Sequence, residues 1–220
     1  MRAFIKKITH PFLKFGLNWY YSKPRKYRYE TSFVWVHPDI FPPHLTFSTK
    51  ILLDFMQSKE LKNKSFLELG CGSGIISVYA AKNGARVTAS DINTTALEFL
   101  EKSASENEVE ITLLKSDVFE KLQGKSFDCI VINPPYYPNN PTSIKEMAWF
   151  CGEHFEYFEK LFDQLPSYIT SENEVFMILS VDCDLEKIKA IASKNKINFH
   201  LVKDTMVFAE KNYIFQLKHS

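Results

Sequence analysis

The sequence is poor in several things, and each shortage removes a class of protein. It has four cysteines in 220 residues (Cys71, Cys129, Cys151 and Cys183), none paired as C-x-x-C. No histidine stands at zinc-finger spacing from any of them, so neither a disulfide framework nor a structural zinc is expected. Free thiols in a reducing compartment, by default the cytoplasm, are the plain reading. No apolar run approaches the ~20 residues that span a bilayer. Lysines and Pro11 interrupt the N-terminus, so it lacks the unbroken apolar stretch of a signal peptide. Acid is missing from the first 29 residues, which hold Arg2, Lys6, Lys7, Lys14, Lys23, Arg25, Lys26 and Arg28. Since the whole chain carries +1, the remainder is mildly acidic. A strongly basic arm on an acidic body points to a polyanion or an acidic surface as partner.

What is present fits one domain with an added arm: 45% hydrophobic and 24% charged residues, enough for one good-sized core. We place the arm at residues 1–44 and the domain at 45–220. Short apolar segments alternate with helical periodicity. Strands are expected at 65–70, 86–91, 110–117, 127–133 and 174–181, followed by two pairing strands at 198–207 and 212–218. Helices are expected near 49–56, 74–83, 93–107, 153–169 (where Pro166 can end the helix early) and 184–194. Strands separated by single helices imply a mainly parallel sheet covered on both faces, a three-layer α/β sandwich.

The stretch Glu68-Leu69-Gly70-Cys71-Gly72-Ser73-Gly74 runs from a strand into a helix, and glycines at alternate positions let a ligand lie against the backbone. A dinucleotide fingerprint would need another glycine where Ile75 stands, and the loop lacks the Gly-Lys-Ser/Thr of a phosphate cradle. A nucleoside without phosphates fits better. Asp91 ends the second strand, where a carboxylate can accept from two ribose hydroxyls; Asp117 ends the third and can accept from an adenine amino group. Taken singly, either acid can equally be a turn or capping residue.

Asn133-Pro134-Pro135-Tyr136 follows the buried fourth strand. An amide or exocyclic amino nitrogen is a poor nucleophile because its lone pair is delocalised. Two acceptors, the Asn133 side-chain oxygen and the Pro134 carbonyl, can bias it toward tetrahedral geometry. Proline stiffens the turn, and Tyr136 offers a flat face to a planar group. A bare Asn-Pro-Pro-Tyr can also be only a turn.

Over roughly residues 45–220 the sequence resembles the class I S-adenosylmethionine-dependent methyltransferases, whose E/D-x-G-x-G-x-G motif is matched by Glu68, Gly70, Gly72 and Gly74. That resemblance implies a seven-stranded sheet with an antiparallel last strand. It also implies S-adenosylmethionine bound by Glu68, Gly70, Cys71, Gly72, Gly74, Asp91, Ile92, Asp117, Val118 and Asn133. The tetrad resembles that of N-methyltransferases acting on adenine, cytosine or glutamine. Ala148-Trp149-Phe150-Cys151-Gly152 is similar to the A-W-x-G-G of release-factor glutamine methyltransferases, with Cys151 in place of a glycine. His37-Pro38-Asp39-Ile40-Phe41-Pro42-Pro43 is nearer the pattern of "small domain" methyltransferases, several of which act on ribosomal RNA. The acceptor is thus a release-factor-like protein or a nucleic acid.

Within the arm, cations interleave with Phe4, Phe12, Phe15, Trp19, Tyr20, Tyr21, Tyr27 and Tyr29. This pattern suits RNA, an anionic membrane surface, or simply a helix packed on the domain with a solvated basic face. His37, His44 and His154 read as packing or rim residues rather than ligands. A cofactor-binding scaffold without turnover is the rival to an active enzyme, though it has no need of Asn133.

Overall fold

A computed structural model describes residues 22–207 and 210–220. The chain enters through a hairpin, β1 (Arg25–Tyr29) and β2 (Ser32–Val36), and helix α1 (Phe47–Met56). There follow β3 (Ser65–Leu69), α2 (Ile75–Lys82), β4 (Arg86–Asp91), α3 (Thr94–Glu106), β5 (Ile111–Lys115) and β6 (Cys129–Ile132). Then come α4 (Glu156–Gln164), β7 (Glu174–Ser180), α5 (Leu185–Lys194), β8 (Ile197–Val207) and β9 (Glu210–His219). The main sheet runs β5-β4-β3-β6-β7-β9-β8. Its first five strands are mutually parallel, and β9 lies antiparallel between β7 and β8.

Period-two alternation decides how the layers form, because successive side chains of a strand face opposite ways. Phe66, Cys129, Val131, Phe176 and Ile178 join one apolar cluster beneath α1, α2 and α3. Their neighbours Leu67, Leu69, Ile130, Ile132, Met177 and Leu179 join a second beneath α4 and α5. In α4, Phe158, Leu161 and Phe162 are fully buried at the 3.6-residue spacing of one helix face. Each contributes about 1.5–3 kcal/mol by leaving water. That helix stops at Gln164 and tightens into a 3-10 turn over Leu165–Tyr168, because Pro166 has no N–H to continue the α-ladder. The seven-stranded, mainly parallel sandwich expected from the sequence is the observed architecture.

The N-terminal hairpin corrects one expectation. Arg25–Tyr29 is a strand, so a helical arm does not hold for this stretch; the cations and aromatics before Ser22 lie outside the described residues. The reason is local: Tyr27 and Tyr29 pair with Val34 and Ser32 in an alternating pattern, which suits a pleated surface better than a helix stripe. Tyr29, Val34 and Val36 are buried, and the hairpin packs on α2 and α3. Its free edge is satisfied by side chains of α3 and its C-cap. Ser103 Oγ accepts from the Trp35 N–H at 3.0 Å, and Asn107 Nδ2 donates to the Phe33 carbonyl at 2.7 Å. Among the described residues no helix is long and apolar enough to cross a membrane.

Candidate active site

In an open α/β sheet the carboxyl ends of the strands splay apart where the strand order reverses, leaving a crevice. Here β3 is the turning point, with β4 on one side and β6 on the other. A cleft opens there, enclosing about 1020 Å³ with its mouth included. It is lined by the β3–α2 loop, the ends of β4, β5 and β6, and two loops from outside the sheet.

The glycine loop forms its floor. Gly70, Gly72 and Gly74 have φ of +71°, +50° and +71°, a left-handed region that side chains with a Cβ rarely adopt. The N–H groups of Gly70 and Cys71 both donate to the Ser90 carbonyl at 2.9 Å, which ties the loop to β4. The glycines serve different ends. A Cβ on Gly70 would meet nothing within 4 Å, whereas one on Gly74 would lie 2.4 Å from Leu100 Cδ1. The space above Gly70 is open to the cleft; Gly74, outside the cleft lining, lets α3 approach the loop.

Asp91 stands at the centre. Its Oδ2 accepts from the Gly72 N–H at 2.7 Å and its Oδ1 from the Asn93 N–H at 2.8 Å. Burial raises its pKa, opposed by the N–H groups of Asn93, Gly72 and Ile92. Each oxygen retains a lone pair, so the carboxylate is aimed by the backbone and still able to accept from hydroxyls. Glu68 lies deeper, 6% exposed, and its Oε2 accepts from the Ser77 N–H at 2.8 Å and from the Ser77 hydroxyl. Burial pushes its carboxyl up to about 8, with the Asp91 charge adding to the shift and the Ser77 bonds opposing it. Asp117 lines the cleft, but one of its oxygens is 2.5 Å from Lys160 Nζ, which also bridges Glu120. Next to it, Val118 has φ of +51°. A β-branched residue in that conformation is strained by about 1–3 kcal/mol, and such strain gathers at ligand sites. The Ser116 hydroxyl, which donates to the Val118 carbonyl at 2.9 Å, holds the turn.

The tetrad leaves β6 and crosses the far wall. Asn133 and Pro135 line the cleft, Pro134 is buried, and Tyr136 stands outside the lining with its ring 4.8 Å from that of Tyr137. Burial is the main reason the Tyr136 phenol is held far above its usual range. Asn133 Nδ2 donates to Ser48 Oγ at 3.3 Å, while its Oδ1 accepts no hydrogen bond from the described residues. The segment similar to A-W-x-G-G clamps the turn: Tyr137 N–H donates to the Trp149 carbonyl at 3.0 Å, and Cys151 N–H to the Tyr137 carbonyl at 2.9 Å. Cys151 is buried there, with its thiol 3.4 Å from the Tyr137 carbonyl.

Of the residues expected from the sequence, the cleft gathers Glu68, Gly70, Cys71, Gly72, Asp91, Ile92, Asp117, Val118, Asn133 and Pro135. Gly74, Pro134 and Tyr136 support it from outside. Sequence reasoning missed the two closing loops. Asp39, Ile40 and Phe41 form one wall, Ile144, Met147 and Ala148 another. Phe41 packs on Trp149 at 4.9 Å between ring centroids, and Lys145 lies 4.0 Å from Asp39. The aromatic, proline-rich run through Phe41 was the available signal. Among the described residues no cluster of side chains is arranged to hold a metal ion. The four cysteines are buried and free.

Comparison with known proteins agrees with this geometry. Residues 33–151 match the family model "Methyltransferase small domain". A Methanocaldococcus jannaschii protein described as a protein N5-glutamine methyltransferase is 32% identical over 151 residues, covering 66% of this chain and 74% of that one. The ribosomal RNA small subunit methyltransferase C of Actinobacillus succinogenes is 32% identical over 162 residues, 69% of this chain but only 46% of its own length. Among solved structures, the T. thermophilus 16S ribosomal RNA N2-guanine methyltransferase, in complex with S-adenosylmethionine and guanosine, aligns with a TM-score of 0.64. Its identity is 16%, over 88% of this chain and 50% of that one. A loop open above Gly70 and a backbone-oriented carboxylate lining the cleft suit that cofactor. The chain belongs to the methyltransferase small domain family and is an S-adenosylmethionine-dependent methyltransferase.

Proposed function

We propose that this chain methylates a planar nitrogen on a macromolecule, either a side-chain amide or an exocyclic amino group. The observation that carries the reading is Asn133: it lines the cleft, its amide is anchored through Nδ2, and its Oδ1 accepts no hydrogen bond from the described residues. Asn133 Oδ1 and the Pro134 carbonyl each accept one N–H of the acceptor, which draws the nitrogen toward tetrahedral geometry. The backbone clamp between Tyr137 and Cys151 steadies the turn that carries both groups, which limits the reorganisation left for the reaction itself. Tyr136 supports the acceptor plane. Bound in the cleft, S-adenosylmethionine supplies an electrophilic methyl group. Asp91 would receive its ribose hydroxyls, Ile92 and Val118 would border the adenine, and Asp117 would accept from its amino group. Gly70, Cys71 and Gly72, with Glu68 beneath, would hold its methionine portion. The methylated nitrogen, now a strong acid, releases its proton to water, so no general base is assigned.

Coverage of most of the archaeal relative's length supports a protein amide as acceptor, with residues 45–220 as the transferase domain and 1–44 as the arm added to it. Four free thiols suit work in the cytoplasm. A specific surface favours a second acceptor, RNA. On the outer side of the β1–β2 hairpin, Lys26 Nζ lies 3.5 Å from the Phe33 ring centroid and 5.0 Å from that of Trp35. Arg28 lies 5.2 Å from Phe33, and Lys102 lies 5.0 Å from Trp35. Cations beside aromatic faces suit phosphates and bases. The deciding experiment is transfer of labelled methyl into a lysate lacking the native protein, split by RNase and protease. Protease-sensitive label supports the amide and RNase-sensitive label the base. Cofactor binding with no transfer into any fraction would favour a scaffold and refute the enzyme reading. Asn133→Ala should keep cofactor affinity and lose orders of magnitude in transfer.

A further inference from the structure

The side chain that aims Asn133 comes from outside the sheet, and it has no part in the sequence motif. Ser48 is the second residue of α1, 7% exposed, and 85 positions from the asparagine it touches. A serine in the first turn of a helix usually spends its oxygen on the helix's own backbone. Here that oxygen accepts from Asn133 Nδ2 at 3.3 Å, and the preceding N-cap, Thr46, makes no side-chain capping bond either.

The two ends of an asparagine amide are nearly identical in shape and opposite in hydrogen-bonding sense: one oxygen accepts, and one nitrogen donates twice. If Nδ2 faced the acceptor nitrogen, donor would meet donor and the group could not bind productively. We propose that Ser48 is a positioning residue for transfer: by accepting from Nδ2 it holds the Asn133 amide in the one placement that presents Oδ1 to the acceptor N–H. A hydroxyl can accept or donate, so Ser48 alone does not dictate the sense. With an N–H-bearing acceptor in the cleft, only this arrangement satisfies all three groups. The inference rests on the reading of Asn133 given above. It adds that α1, ahead of the glycine loop, contributes to the transfer step rather than only to packing.

The test is a double-mutant cycle on the full chain: Ser48→Ala, Asn133→Ala and the double variant. Single-turnover transfer is measured with enzyme in excess into the lysate fraction that the wild type labels. S-adenosylmethionine affinity and Tm are recorded beside it. Ser48→Ala should slow transfer by roughly three- to tenfold, the equivalent of one neutral hydrogen bond, with cofactor affinity unchanged. In the Asn133→Ala background the same change should do nothing further, because the partner it positions is gone. Ser48→Cys, similar in volume but with a weak acceptor, should repeat the loss if Ser48→Ala proves unstable. A wild-type rate in both Ser48 variants overturns the proposal. So does an equal fold-loss in both Asn133 backgrounds, since that marks a general loosening of α1. If Asn133→Ala itself transfers at the wild-type rate, the reading of Asn133 falls first, whatever Ser48 does.

Discussion

Gly70 and Gly74 share a φ of +71° and differ in what surrounds them, which makes them a controlled pair. Alanine at either position must adopt the left-handed conformation, at about 1–2 kcal/mol. At Gly70 the cost ends there, because its Cβ would find no atom within 4 Å. At Gly74 the Cβ would stand 2.4, 2.5 and 2.8 Å from Cδ1, Cδ2 and Cγ of Leu100, a fully buried side chain with no room to withdraw. Overpacking of that kind adds about 1–3 kcal/mol, for a total of roughly 2–5 kcal/mol. Urea unfolding should therefore show Gly74→Ala to be the less stable variant by a clear margin. Calorimetry should show the reverse order for cofactor binding. The methyl of Gly70→Ala would occupy the ligand's own space and weaken affinity at least tenfold, while folded Gly74→Ala keeps an intact cleft. Trimming Leu100 to valine should recover part of the stability of Gly74→Ala and none of the affinity of Gly70→Ala. Wild-type affinity in Gly70→Ala would refute the assignment of the loop as the cofactor cradle. Equal stability of the two variants would refute the packing argument.

Asp91→Ala should weaken S-adenosylmethionine binding by about 1.5–3 kcal/mol, the loss of a charged acceptor shared by two hydroxyls; unchanged affinity in calorimetry removes Asp91 from the site. Glu68 titrates near 4.5 when unfolded and at about 8 when folded, so the folded state holds an extra proton between those values. The stability this gives is fully present below about 4.5 and is lost as pH rises through about 8. Urea midpoints should fall over that window in the wild type and fall less in Glu68→Gln; parallel curves would mean that Glu68 is ionised when folded. If RNA is the acceptor, Lys26→Glu with Arg28→Glu should weaken binding of a labelled single-stranded RNA. The slope of log affinity against log salt should flatten by about 0.7 for each phosphate that is no longer neutralised, and an unchanged slope would clear the hairpin face of an RNA role.

The sheet was legible because its central strands are buried on both faces and most strands are separated by single helices, so Phe127–Asn133 and Glu174–Val181 stand out as short apolar runs with turn residues at both ends. Even the antiparallel end followed, since two strand patterns a few residues apart pair most simply with each other. The hairpin at Arg25–Val36 escaped because its alternation is carried by Tyr27, Tyr29, Val34 and Val36 among cations. In sequence it reads equally as a basic aromatic segment. What reveals it as structure is Ser103 and Asn107 receiving its edge, and those contacts span about 70 residues.

The same distinction divides the site. Glu68, Gly70, Gly72, Asp91 and Asn133 were readable because each belongs to a strand end, and a parallel sheet brings strand ends together whatever their separation in the chain. Asp39, Phe41, Ser48, Lys145 and Met147 belong to segments placed by tertiary packing: Phe41 on Trp149, Asp39 against Lys145, and the Asp39 carbonyl accepting from Asn93 Nδ2 at 3.0 Å. No local periodicity encodes such contacts. The division has a chemical consequence. In the proposed mechanism, strand-end residues supply the functions common to this reaction class, a nucleoside cradle and a nitrogen clamp. The loops that only tertiary packing places form walls of the cleft, and in the proposed mechanism the acceptor passes them. Changes at Phe41, Lys145 or Met147 should accordingly alter which macromolecule is methylated before they alter cofactor affinity, whereas changes at Gly70 or Asp91 should do the opposite.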